Sequence, residues 1–410
     1  MTAVTDAATG PDILAAELDA DPYPFYAEMR ESYPLYRHEV SGFWMVSRYR
    51  DVERVFKDGE SFSSRNYEWQ NEPLHGGRTM LQLDGREHSA HRNIVGPQFR
   101  GAYLEERVRG LIEHTAHKLI DRFEADGHVD LREQFTKRFP LDVIMYMIGL
   151  PLEDHETFRR WVDLGIEFQS NFAGDPEVER RGLEAQAQFA DYLTPIIAER
   201  RENPGEDLLS KMLVGTSDGI TMEDWEVRAF TSLLVSAGGE TTDNALASMV
   251  CRLLENPEQM EAVRGDRSLI TAALAETLRH SGPVQMIMRQ AEGDVELSGG
   301  VVPAGGTVAC VLGAANRDPD QFTDPERFDI QRADLNVAKA FNAAANHVEF
   351  ALGRHFCVGA HLTRVEVEVA MDALLDRLPE MSFAPGFQAD EAGVFTRGPR
   401  HVDLVFQPAA

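Results

Sequence analysis

Apolar residues recur at three- and four-residue spacing along most of the chain. That period predicts helices over 24–32, 103–125, 141–148, 153–168, 176–202, 225–255, 257–264, 268–280 and 358–378. Alternating patterns are few and short: 36–40 with 43–47, the stretch 295–312, where the run 297–316 reads as two strands around a turn, then 383–385 and 401–406. No internal repeat, low-complexity tract or Gly/Ser linker marks a boundary. The reading is a mainly α chain with small β-sheets, folded as one large domain over 1–410.

The stretch 221–257 is the most informative. Thr221 followed three residues later by Asp224 reads as a capping box, and Asn256-Pro257 reads as a stop. About 34 residues at the helical rise make a rod of roughly 50 Å. Residues 229–239 carry no charge on any face, so the rod must be buried. Within it Gly238-Gly239 weaken the helix just before Glu240-Thr241-Thr242. A kink with a polar turn is one reading; a cavity in which loosened backbone and polar side chains hold a ligand is the other.

Charge narrows the function. Sixty-eight acids against 40 bases give −28, which argues against nucleic acid or an anionic membrane as partner. Three cysteines, Cys251, Cys310 and Cys357, make no disulfide framework and fit a reducing compartment. Residues 1–22 hold five acids and no base, the opposite of a signal peptide. The longest charge-free run, 297–316, contains Pro303 and five glycines and does not span a membrane. A soluble cytoplasmic protein is expected.

Near the C-terminus Phe350-Ala351-Leu352-Gly353-Arg354-His355-Phe356-Cys357-Val358-Gly359 precedes an amphipathic helix. Cys357 therefore sits at a helix N-terminus, where free N–H groups favour a thiolate, and Gly353 and Gly359 permit close backbone approach to a flat ligand. A lone cysteine can equally be a small buried hydrophobe, the reading given to Cys251 and Cys310. A zinc site from His347, His355, Cys357 and His361 is conceivable but has no C-x-x-C pair behind it. Glu276 and Arg279 share one helix face at i,i+3, and Asp324-Pro325-Glu326-Arg327-Phe328 adds an arginine in a turn-rich segment.

In this order and spacing these motifs resemble the cytochrome P450 superfamily, specifically its soluble bacterial, ferredoxin-dependent class. Ala237-Gly238-Gly239-Glu240-Thr241 is similar to the family's oxygen-binding groove, and His88-Ser89-Ala90-His91-Arg92 to its H-x-x-x-R haem-contacting helix. The resemblance implies a P450-like domain enclosing haem b, with Cys357 as the iron ligand. Phe350, Gly353, Gly359 and Ala237 would lie against the haem, and His88, Arg92, Arg289 and His355 on its propionates. It implies a structural ion-pair triad of Glu276, Arg279 and Arg327, and proton delivery by Glu240 and Thr241. Ala351 departs from the family, which usually has Gly or a small polar residue there.

The implied activity is a haem-thiolate monooxygenase that uses dioxygen to hydroxylate or epoxidise a hydrophobic small molecule such as a terpenoid, steroid or macrolide. The alternative is a haem-thiolate protein with another role, a peroxygenase or an oxidative coupling enzyme; a haem-free metal hydrolase or helical scaffold is the third. Tyr67, Trp69, Leu74, Met80, Phe168, Phe172, Leu233, Ser236, Gln285, Ile287 and Phe395 are the expected pocket residues. Electrons would come from NAD(P)H through a ferredoxin reductase and a ferredoxin to a monomer. Because ferredoxins are usually acidic, a basic face is expected from Arg92, Arg100, Arg107, Arg109, Arg354 and Arg364.

Overall fold

Helix dominates, as the period predicts, and the helix Pro176–Glu202 has the expected bounds: Asp175 accepts the Glu177 N–H (2.8 Å) and Pro176 occupies the first helical position. The computed structural model describes residues 10–408; residues 1–9, part of the acidic stretch read as lacking a signal, and 409–410 lie outside them. Within the described residues the chain forms two compact units. One comprises the described residues to 66 with 275–357 and 390–398, and the other 67–274 with 358–389 and the described residues from 399. No described helix is long and apolar enough to cross a membrane.

The second of these units is built on the central helix Asp224–Glu255. Its capping box is made by Glu223 and Glu226, not by Thr221 and Asp224. Thr221 is taken by a short hairpin, in which Ile220–Thr221 pairs with Thr216–Ser217. Gly238-Gly239 do not break the helix, so the expected loosening is corrected. A Cβ on Gly238 would lie 3.3 Å from Ile144 Cγ1, and the pair lets the helix Phe139–Ile148 cross closely. Burial is continuous over 229–235 and again over 242–251, but the side chains at 236, 237, 240 and 241 are only half-buried or exposed. A three-stranded sheet of Ser382–Phe383, Asp403–Val405 and His128–Asp130 closes another side of this unit.

The cysteine-bearing unit holds a five-stranded sheet in the order Leu35–Arg37, Trp44–Val46, Thr307–Val311, Met286–Ala291, Phe62–Ser63. Its third strand runs parallel to its second and antiparallel to its fourth. The run 295–312 gives three strands rather than two, Val295–Leu297, Gly300–Val302 and Thr307–Val311. Met286–Ala291 is a strand that the alternation did not mark, because four of its six residues are buried and the two faces do not separate.

Candidate functional site

Cys357 is the exposed cysteine; Cys251 and Cys310 are buried, and burial pushes the Cys310 thiol up to about 12. The loop before Cys357 is held by its own backbone. Cys357 N–H donates to Phe350 O (2.9 Å), Ala351 N–H to Val348 O (2.9 Å) and Phe356 N–H to Gly353 O (3.2 Å). Gly353 has φ +71°, and a Cβ there would meet Phe56 O at 2.7 Å, so no other residue fits. Ala351 also sits at positive φ, +54°, which is why glycine suits this position better. Phe350 packs in an aromatic cluster with Phe341, His347 and Phe356, at ring separations of 5.9–6.0 Å. The outcome is a backbone-braced loop that presents one exposed sulfur, and the helix Ala360–Arg377 begins three residues later.

The same unit gathers two of the expected anionic-group donors. Arg289 is buried, with its guanidinium 5.3 Å from the centre of the Phe56 ring, the residue whose carbonyl abuts Gly353. His355 Nε2 lies 3.3 Å from Ser64 Oγ. His347 is no metal ligand: burial holds its pKa down at about 4, Nε2 meets Ala340 O (3.0 Å) and Nδ1 accepts from Glu349 N–H. That removes the zinc alternative's first member.

Beneath this loop lies a saturated charge network. Arg279 donates to both Glu276 oxygens (2.7 Å each) and to Asn316 O, Pro325 O and Arg327 O. The third member is Arg332, not Arg327. Arg332 Nε donates to Glu276 Oε1 (3.2 Å) with its side chain 5% exposed, whereas the Arg327 side chain is 67% exposed and faces Asp329 at 3.7 Å. Arg327 contributes its carbonyl alone. Nearby Glu349 accepts from Val284 N–H (2.7 Å) and Asn316 Nδ2 (3.3 Å), and burial pushes its carboxyl up to about 8.

In the other unit His88 and Arg92 stand one turn apart on the helix Gly85–Val95, His88 buried and Arg92 half-buried. Ala237, Glu240 and Thr241 occupy the uncovered interval of the central helix, and Thr241 Oγ1 donates to Ala237 O (2.8 Å). One residue further on, Thr242 hydrogen-bonds Glu366, whose carboxyl burial raises well above 4.5, so a neutral acid stands behind this interval.

The expected pocket residues divide. Gln285 N–H donates to Phe395 O (2.8 Å), so the strand carrying Ile287 and the Phe395 turn are joined in the cysteine-bearing unit. In the other unit Leu74, Gly165, Ser236 and Ser232 surround a cavity of about 20 Å³, and Phe168 rests on Gly182. Leu233 is buried and Phe172 half-buried. Trp69 is corrected: at 57% exposure it is no wall of an enclosed pocket. The buried side of its helix, Tyr67–His75, offers His75, which the sequence did not single out. Its Nδ1 meets Ser232 Oγ (3.0 Å), Nε2 has no protein partner, and burial holds the ring neutral with a pKa of about 3.

The residues of the unit that carries Cys357 fit a thiolate-ligated haem: an exposed sulfur on a loop that admits only glycine at 353, with cationic and imidazole N–H groups for carboxylates. The family model "Cytochrome P450" matches residues 13–379. Pulcherriminic acid synthase of Bacillus subtilis is 36% identical over 397 residues, covering 97% of this chain and 98% of the relative. The cytochrome P450 monooxygenase PikC of Streptomyces venezuelae is 35% identical, covering 91% and 88%. The crystal structure of CYP109E1 from Bacillus megaterium in complex with testosterone superposes with a TM-score of 0.86 at 28% identity, covering 95% of this chain and 99% of that one. The chain therefore belongs to the cytochrome P450 family and is a haem-dependent oxidoreductase of the monooxygenase type.

Proposed function

We propose that this cytochrome P450 hydroxylates or epoxidises a hydrophobic natural product of terpenoid, steroid or macrolide size, working as one domain with electrons delivered from NAD(P)H by a ferredoxin and its reductase. The observation that carries the reading is the exposed Cys357 thiol on its backbone-braced loop. Haem bound there supplies the activation of dioxygen. Cys357 Sγ is the group to hold iron, with the Phe350 cluster keeping water from the sulfur. Arg289 and His355 are N–H donors suited to a propionate, and His88 and Arg92, to which the resemblance assigns the same role, offer donors of the same chemistry. Thr241 Oγ1, resting on Ala237 O, has only to rotate to present its proton, and the Glu240 carboxylate can replace it from water.

Relatives support the substrate class: PikC is named a monooxygenase, and the CYP109E1 structure holds a steroid. Within this chain His75 Nε2 and Gln82 Nε2 are buried without protein partners, and in an apolar pocket such groups orient a substrate's few polar atoms. For the redox partner, Arg100, Arg107 and Arg354 are exposed, and His361 is held below its ordinary pKa by burial first and then by the charges of Arg364 and Arg100. Arg109 is the weaker member of the expected basic face, because Glu105 (2.8 Å) and Glu113 (3.9 Å) already neutralise it. The test is turnover with NAD(P)H, a surrogate ferredoxin system, isotope-labelled dioxygen and a compound chosen by its spin-state shift. One labelled oxygen in the product is expected; product without label, or formed only from peroxide, contradicts the reading.

A further inference from the structure

Away from the cysteine loop, three ligand-type side chains converge without bonding one another. Glu87 and His91 lie one turn apart on the helix Gly85–Val95, and Glu226 is in the first turn of the central helix. One oxygen from each carboxylate and one His91 ring nitrogen all lie within 4.8 Å of one another. His91 and Glu226 are buried, 3% and 6% exposed. Glu87 is half-exposed, which leaves a way in. Among the described residues the His91 ring feels Glu226 and Glu87 only through their charge, with no hydrogen bond to either.

Holding the buried Glu226 carboxylate and the half-exposed Glu87 carboxylate beside a buried imidazole is unfavourable unless something positive lies among them. Arg78 reaches Glu87 Oε1 (2.9 Å) from the solvent side and supplies one positive charge. Glu226 Oε2 accepts the Glu223 N–H (2.8 Å) in the capping box. These contacts hold each carboxylate in place, as outer partners of metal ligands do. Burial holds His91 below its ordinary pKa, so its lone pair is free near neutrality.

We propose that Glu87, His91 and Glu226 form a binding site for one divalent transition-metal ion, zinc by preference. One imidazole and two carboxylates suit zinc; calcium and magnesium favour all-oxygen shells. Tetrahedral bonds of about 2.1 Å place ligand atoms about 3.4 Å apart, so each of the three closes by at most about 0.8 Å. The bound ion would tie the helix that carries His88 and Arg92 to the start of the central helix.

The test is calorimetric titration of chelator-stripped holoenzyme with zinc chloride, alongside Glu87→Gln and His91→Gln. Wild type should take up one zinc per chain with a rise in unfolding temperature, and ignore magnesium at the same concentration. Each variant should bind at least tenfold more weakly. The thiolate-haem spectrum must be unchanged in each variant counted, and Glu87→Gln, altering a half-exposed side chain, decides alone if His91→Gln does not fold. No saturable zinc site in wild type, or a folded variant that binds zinc as wild type does, overturns the proposal.

Discussion

Two polar groupings differ in how fully their atoms are used. In the cysteine-bearing unit Glu276 and Arg279 are fully buried, and their charged atoms are bonded to each other, to Arg332 or to backbone carbonyls. On the central helix Ser236, Glu240 and Thr241 occupy the interval where burial lapses, and Thr241 makes only a short-range bond to its own helix. The first grouping is rigid because every group is committed. In the second, the Thr241 hydroxyl can turn from its own helix to another acceptor, and that freedom is what a proton relay requires.

The contrast predicts opposite failures. Glu276→Ala strands two buried guanidinium groups and should destabilise by about 3–5 kcal/mol, read as poor haem retention and a lower midpoint in denaturant. Arg332→Ala should follow it closely, whereas Arg327→Ala should stay within about 0.5 kcal/mol. Equal losses at 327 and 332 would break the assignment of the third ion-pair member.

Thr241→Ala should leave stability within about 0.5 kcal/mol but lower product formed per NAD(P)H about ten- to a hundredfold, about 1.4–2.7 kcal/mol in barrier. Coupled turnover at the wild-type level would remove Thr241 from proton delivery.

Glu349 sharpens the picture of the committed unit through pH. Its carboxyl titrates near 4.5 when unfolded and at about 8 when folded. Below 4.5 both states hold the proton and its stabilising effect is complete. Between 4.5 and 8 only the folded state holds it, so stability falls as pH rises, by at most about 1.4 kcal/mol per unit. Above 8 the loss is complete. Denaturant midpoints from pH 5 to 8 should slope downward in wild type and flatten in Glu349→Gln.

The smallest effect belongs to Ala351. At φ +54° it holds a conformation glycine adopts freely, so Ala351→Gly should stabilise by up to about 1 kcal/mol. A destabilised variant would mean that the Cβ packs usefully against the buried loop.

How much of this was legible in sequence follows from the range of the interactions. The helix Pro176–Glu202 was readable to its ends because cap, proline and period are local signals. The Cys357 loop was readable because its glycine and aromatic spacing is local too. Arg332 was not: it stands five residues from Arg327 in one irregular segment, and only the chain's return to Glu276 decides which side chain turns inward. Glu366 was not legible either, because only the fold brings it against Thr242. Gly238 and Gly239 show the limit of composition, since a pair that weakens an isolated helix here lets another helix pack close.

The central claim is that Cys357 is the thiolate that holds haem iron. Its most direct test is the absorption spectrum of the dithionite-reduced protein under carbon monoxide, wild type beside Cys357→His. Wild type should show the strongly red-shifted Soret band of a thiolate-ligated haem, and the variant should lose that shift. A wild-type band at the position of a histidine-ligated haem, or a shift that survives in Cys357→His, would contradict the account.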